Sequence, residues 1–198
     1  GLCLILGLLA GVISTILIQA LYYMKDLFSE IPVHPVFKPA LGGLAVGALG
    51  LFYPRVLGMG YNVIMDALNN QLAFNLLLIL LFLKILAFSL SLGSGGSGGT
   101  IVPSLFTGAM LGGAFGTAAN LLFPGTIAEP GAYAMIGMGA VFAGTARAPL
   151  TAILILFEMT RDYSLILPLM FSCVLSNVMS NALYTESIFT EGLRRKGF

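Results

Sequence analysis

The sequence predicts an all-α, polytopic membrane protein with broken and tilted helices, and three observations carry that prediction. Of its 198 residues, 58% are hydrophobic and only 9% charged, whereas charged residues make up roughly a quarter of an ordinary globular domain. The apolar residues gather into runs near the ~20 residues that a helix needs to cross ~30 Å of hydrocarbon. Between two such runs, residues 93–103 read G-S-G-G-S-G-G-T-I-V-P and open the backbone. Irregular main chain at membrane depth persists only where protein buries it or where it lines a polar cavity, because lipid cannot hydrogen-bond freed N–H and C=O groups.

The elements follow in order, within a single unit spanning 1–198. Residues 1–24 form an apolar run long enough to span, closed by Lys25 and Asp26. No initiator Met and no basic stretch precede it, so it does not read as a signal peptide, and the chain reads as a piece that begins inside a larger protein. A loop with Glu30, Pro32, His34, Pro35 and Lys38 comes next. Residues 39–53 are rich in Gly and Ala, a small-residue face that calls for protein neighbours rather than lipid. Residues 60–71 carry Asn62, Asp66, Asn69 and Asn70 and predict a short interfacial helix, while 72–92 read as a full span broken only by Asn75 and Lys84.

After the glycine run, residues 101–123 predict another helix lined with small residues, and 124–131 a turn. Residues 132–157 are apolar but interrupted by Gly144-Thr145-Ala146-Arg147-Ala148-Pro149, which predicts a split into two shorter helices at Pro149. A polar hinge, Glu158-Met159-Thr160-Arg161-Asp162, leads into the last apolar run, 163–183. Short, interrupted apolar segments mark transporters built from broken helices. Arg194, Arg195 and Lys196 follow the last run, which predicts a cytoplasmic C-terminus.

Composition excludes several function classes. A net charge of +1 over few ionisable groups offers no surface for nucleic acid. Cys3 and Cys173 lie in distant apolar stretches without metal-ligand spacing, so they read as inert packing residues, and no metal or cofactor is expected. An enzyme is not expected either: the chain has one histidine and lacks the Gly-x-Ser-x-Gly, His-Glu-x-x-His and Gly-x-x-x-x-Gly-Lys patterns. Asp66 and Asp162 flank spans rather than occupy them, which removes an intramembrane aspartyl protease. A membrane scaffold or assembly subunit is the alternative class, and it leaves the broken helix unexplained.

The glycine run reads either as a flexible linker or as a binding backbone. Its apolar flanks favour the second reading. Glycines permit close approach, and Pro103 suits a first helical turn, where its missing N–H costs nothing. Unpaired N–H groups at a helix start favour an anion. One helix end contributes only about 0.3 to 1 kcal/mol, up to ~2 when partly buried, whereas dehydrating an ion costs several kcal/mol. Several converging donors are therefore required. Tyr184, where the last run ends, reads as an interfacial aromatic anchor or as a ligand. Lys84 and Arg147 read as snorkelling or paired cations, with Glu158 and Asp162 as conceivable partners, and His34 as solvated.

These residues resemble a known family. Gly95-Gly96-Ser97-Gly98-Gly99-Thr100-Ile101-Val102-Pro103-Ser104-Leu105-Phe106, continuing through Gly108-Ala109-Met110-Leu111-Gly112-Gly113-Ala114-Phe115-Gly116, resembles the third signature of the CLC chloride channels and chloride/proton antiporters. Ala146-Arg147-Ala148-Pro149-Leu150-Thr151, Glu158-Met159-Thr160 and Tyr163-Ser164-Leu165-Ile166-Leu167-Pro168 resemble its later blocks, and Tyr184 falls where the family places its pore tyrosine.

The resemblance implies the C-terminal half of a CLC membrane domain, one of two inverted halves, in a homodimer with a separate pore in each subunit. It also implies voltage- or proton-linked transport of chloride across the bilayer. In the family's Gly-x-Phe-x-Pro signature the amides of the second and third residues face the anion. Those positions are Thr100 and Ile101 here, between Gly99 and the pair Val102 and Pro103. Tyr184 would donate its hydroxyl from another side, and its presence favours a chloride member over the fluoride-exporting branch. Ile101 replaces the usual Phe, which keeps the backbone donor and removes an aromatic wall. The family's Gly-Ser-Gly-x-Pro and Gly-x-Glu-Gly-Pro motifs occur nowhere in this chain, so it is not assigned to channel or antiporter.

Overall fold

The apolar runs fold as helices, and prolines open two of them, at Pro130 and Pro149. The computed structural model describes residues 1–32, 34–124, 128–160 and 163–195. Helix α1 (Leu2–Glu30) is followed by α2 (Lys38–Phe52), α3 (Tyr61–Leu68) and α4 (Phe74–Gly93). Across the glycine run come α5 (Ile101–Leu122), α6 (Pro130–Ala146), α7 (Pro149–Thr160), α8 (Ile166–Leu183) and the five-residue α9 (Thr190–Arg194). Short 3-10 turns occur at Pro35–Phe37, Pro54–Val56 and Tyr163–Leu165. Among the described residues four segments are long and apolar enough to cross a membrane: Leu2–Glu30, Phe74–Gly93, Ile101–Leu122 and Tyr163–Leu183.

The expected split at Pro149 occurs, with Arg147 in the left-handed region (φ 58°) between α6 and α7. The short helix expected at 60–71 is α3, whose Val63, Ile64 and Ala67 are buried while Asn69 follows its last turn. Helix α1 runs six residues past Met24, because Lys25 lies over the Tyr22 ring at 5.6 Å and Asp26 pairs with Arg195. Parts of the expected turn at 124–131 and of the expected hinge, together with the proposed partner Asp162 and the cation Lys196, lie outside the described residues.

Packing follows from small residues. Helices α5 and α6 meet backbone to backbone: a methyl group added at Gly112 would fall on the Tyr133 carbonyl, and one at Gly116 would lie 2.7 Å from the Pro130 Cα. Without a hydrophobic force between helices in lipid, such close approach supplies the dispersion contacts that hold them. Helices α1, α6 and α8 share a second seam, stitched by hydroxyls. Ser14 Oγ donates to the Val141 carbonyl at 2.9 Å, Ser172 Oγ to the Cys3 carbonyl at 2.8 Å and Ser180 Oγ to the Gly144 carbonyl at 3.1 Å. Helix α2 is the exception, since only Gly42 and Gly50 are buried and nothing among the described residues approaches Gly43 or Gly47. Among the described residues, the small-residue face expected to need neighbours meets Ser94 at Gly42 and Leu57 at Gly50 and is otherwise open at Gly43 and Gly47.

Candidate functional site

The glycine run resolves into two devices. Its first part is a helix cap: the Gly95 N–H donates to the Leu92 carbonyl and the Gly96 N–H to the Ser91 carbonyl, at 3.1 and 3.0 Å. With Gly95 at φ 94°, this is a Schellman ending of α4 and explains two of the glycines structurally. The second part, residues 97–100, carries the open backbone into α5. There Thr100 occupies the N-cap position without a side-chain cap bond, and its carbonyl accepts from Ser104 Oγ at 2.8 Å. Among the described residues none accepts from the backbone N–H of Thr100, Ile101 or Val102. Pro103, with no N–H to leave over, stands in the first turn as expected.

A cavity of about 380 Å³ adjoins this helix start, lined by Lys84, Ser91, Ser97, Gly99, Val102 and Pro103 among others. Among the described residues Lys84 pairs with no acid, and it does not snorkel. It is 4% exposed, its Nζ donates to the Val56 and Gly58 carbonyls at 2.9 and 2.7 Å, and it lies 4.7 Å from the centre of the Phe106 ring. A desolvated ammonium is tolerated there because carbonyl dipoles and an aromatic face replace its water.

Arg147 is likewise paired, though not with Glu158. Its guanidinium donates to the Ser180, Tyr184 and Glu186 carbonyls and to Asn181 Oδ1, collecting the open end of α8. His34 is exposed, as expected.

Tyr184 is half-buried at the C-terminal end of α8. Burial, followed by the neighbouring Glu191 carboxylate, raises its pKa above the usual phenolic value. No hydrogen bond among the described residues joins it to Thr100 or Ile101. The two regions are connected instead through the last turns of α1. Gly93 packs on Met24 and Lys25, where an added methyl would lie 2.8 Å from the Met24 Cβ. Tyr22 Oη donates to the Ile188 carbonyl at 2.9 Å, and Asp26 takes Arg195.

Glu191 was not singled out by the sequence reading. It is fully buried, accepts from Arg194 Nε and Nη2 at 2.8 and 2.9 Å and from Arg195 Nε at 2.7 Å. Its signal was the i, i+3 and i, i+4 spacing to two arginines on a short helix.

Comparison with known proteins adds four findings. The family model described as "Voltage gated chloride channel" matches residues 1–181. A "Putative chloride channel protein ClcB-like" of Ralstonia nicotianae is 38% identical over 190 residues, 96% of this chain and 44% of the relative. An "H(+)/Cl(-) exchange transporter ClcA" of Vibrio parahaemolyticus is 36% identical over 197 residues, 97% of this chain and 42% of the relative. Among solved structures, "a slow cyanobacterial Cl-/H+ antiporter" superposes with a TM-score of 0.89 at 36% identity, covering 98% of this chain and 46% of that one. The chain spans less than half the length of each of these relatives.

Proposed function

The chain belongs to the voltage-gated chloride channel family, and from that premise we propose that it builds one wall of a chloride pathway through a membrane. It is a member of a transport family with a CLC-type helical fold, not an enzyme. In this reading the backbone N–H groups of Thr100 and Ile101 contact the ion, and Gly99, Val102 and Pro103 shape the turn that presents them. The observation that carries it is the set of unpaired N–H groups at the start of α5, facing no acceptor among the described residues. Both the helix dipole and these donors favour an anion there.

Tyr184 is the third contact in this proposal. A phenol has one O–H to give, and with the Glu191 carboxylate beside it chloride and that carboxylate compete for it. Ile101 in place of the family Phe keeps the amide and leaves the side chain, 45% exposed, as an aliphatic wall. The working protein, as a chloride channel or chloride/proton antiporter, includes a second, N-terminal half that supplies the remaining donors. It assembles as a homodimer and holds the C-terminal end of this chain in the cytoplasm.

Crystals of the protein soaked in bromide test the reading by anomalous scattering. Density beside the Thr100 and Ile101 amides is expected. An empty site alongside an intact fold favours a membrane scaffold that has lost transport.

A further inference from the structure

Helix α9 has five residues, too few to hold a helix by itself, so tertiary ties must fix its place. Those ties converge on Glu191. The carboxylate, 0% exposed, gathers Arg194 and Arg195 at 2.7 to 2.9 Å, close to Tyr184. Arg195 extends the network to α1, where it pairs with Asp26 and lies 4.9 Å from the centre of the Tyr22 ring. Tyr22 in turn donates to the Ile188 carbonyl at 2.9 Å, and the Ile188 N–H donates to the Thr145 carbonyl at 3.1 Å. The same turns of α1 support the glycine run, since Gly93 packs on Met24 and Lys25.

We propose that Glu191 is a positioning residue that docks residues 184–195 on the turn of α1 supporting the glycine run, so that one strut sets both regions of the anion site. The proposal rests on the chloride reading above. Two arginines converge on a single carboxylate, and removing a buried charge strands every partner it had. Neutralising Glu191 therefore releases α9 from α1 and leaves the segment around Tyr184 without a fixed orientation.

The test uses the full-length protein, both halves present, and two variants. Glu191→Gln keeps the shape and removes the charge. Arg195→Gln changes a partly exposed side chain, keeps the Glu191 to Arg194 pair and cuts the tie to Asp26. Backbone hydrogen exchange reads docking, and the chloride dependence of flux in liposomes reads the site. In Glu191→Gln the Ile188 and Glu191 amides are expected to exchange about tenfold faster as local opening becomes easier. Half-saturating chloride is expected to rise about fivefold, the equivalent of one net hydrogen bond, and by more than the maximal rate falls. Arg195→Gln is expected to move both readouts the same way by about twofold, and it decides the matter if the first variant does not fold.

Unchanged exchange overturns the proposal, as does faster exchange with unaltered half-saturation. So does tighter chloride binding, which would mean that Glu191 merely occupies the Tyr184 donor. A wild type that moves no chloride removes the chloride reading and this proposal together, whereas wild-type flux with unresponsive variants removes only the proposal.

Discussion

The Thr100–Ile101 peptide unit is the smallest piece of the molecule on which the proposed function turns. Its N–H is a donor without an acceptor among the described residues, and no side-chain substitution deletes it. Replacing that amide by an ester does, with little change of shape. Anion affinity, read by bromide or chloride titration, is expected to fall about tenfold, the size of a hydrogen bond to a charged group, while Ile101→Ala keeps the affinity near that of the wild type. Glu191 gives a second test at this scale. Arg194, then Arg195 and Tyr184, hold its carboxyl down at about 2 against 4.5 for an ordinary glutamate, in spite of burial. A depressed carboxylate stabilises the fold fully above its unfolded value and loses that contribution as pH falls toward its folded one. The melting temperature of the wild type relative to Glu191→Gln should therefore be constant above pH 4.5 and decline from there toward pH 2. A difference that ignores pH across that window would show that the carboxylate carries no stabilising charge.

At the scale of elements, the close packing of α5 on α6 and the anchoring of the α2–α3 connection by Lys84 are the two contacts most exposed to a single change. Gly112→Ala puts a methyl group into the Tyr133 carbonyl, against backbone that cannot swing aside. Overpacking of this kind costs about 1 to 3 kcal/mol, and a lower melting temperature in detergent should report it, whereas Gly43→Ala on the open face of α2 should not. Lys84→Met keeps the length of the side chain and strands the Val56 and Gly58 carbonyls; buried acceptors left unpaired cost about 1 to 3 kcal/mol each. Most of these elements were legible in the sequence, because Pro149, Pro103 and the glycines fix helix ends locally and hydropathy fixes the spans. The glycine run pointed to a helix start with unpaired amides, and it is the resemblance to the family signature that singles out Thr100 and Ile101 among them. What could not be read was long-range. Gly95 and Gly96 turned out to be a cap, a distinction set by φ rather than by composition. Lys84 found carbonyls 26 and 28 residues away, and Tyr22 met the Ile188 carbonyl across 166 residues. No local pattern encodes such meetings.

For the whole molecule, the question is whether this chain can move an ion without the N-terminal half proposed above. Its own donors at the site are the amides of one helix start and, if released, one phenol. A helix end offers up to ~2 kcal/mol to a partly buried anion, and each charge-assisted hydrogen bond about 1.5 to 3 kcal/mol, but the same donors must also replace the hydration shell, at several kcal/mol even after relaxation. The balance is near zero at best, and it is worse where the anion stays open to lipid on its far side. Three features point to a second wall. Nothing among the described residues covers Gly43 and Gly47 on α2; Ile101 is 45% exposed beside the open amides; and the chain accounts for only 42% to 46% of the relatives compared. Liposomes reconstituted with these 198 residues alone are therefore expected to lose chloride no faster than empty ones, and co-expression with the N-terminal half of the same protein is expected to restore flux. Chloride efflux from the isolated chain, blocked by the ester at Ile101, would mean that one half suffices and that the missing donors are supplied by a second copy of this chain.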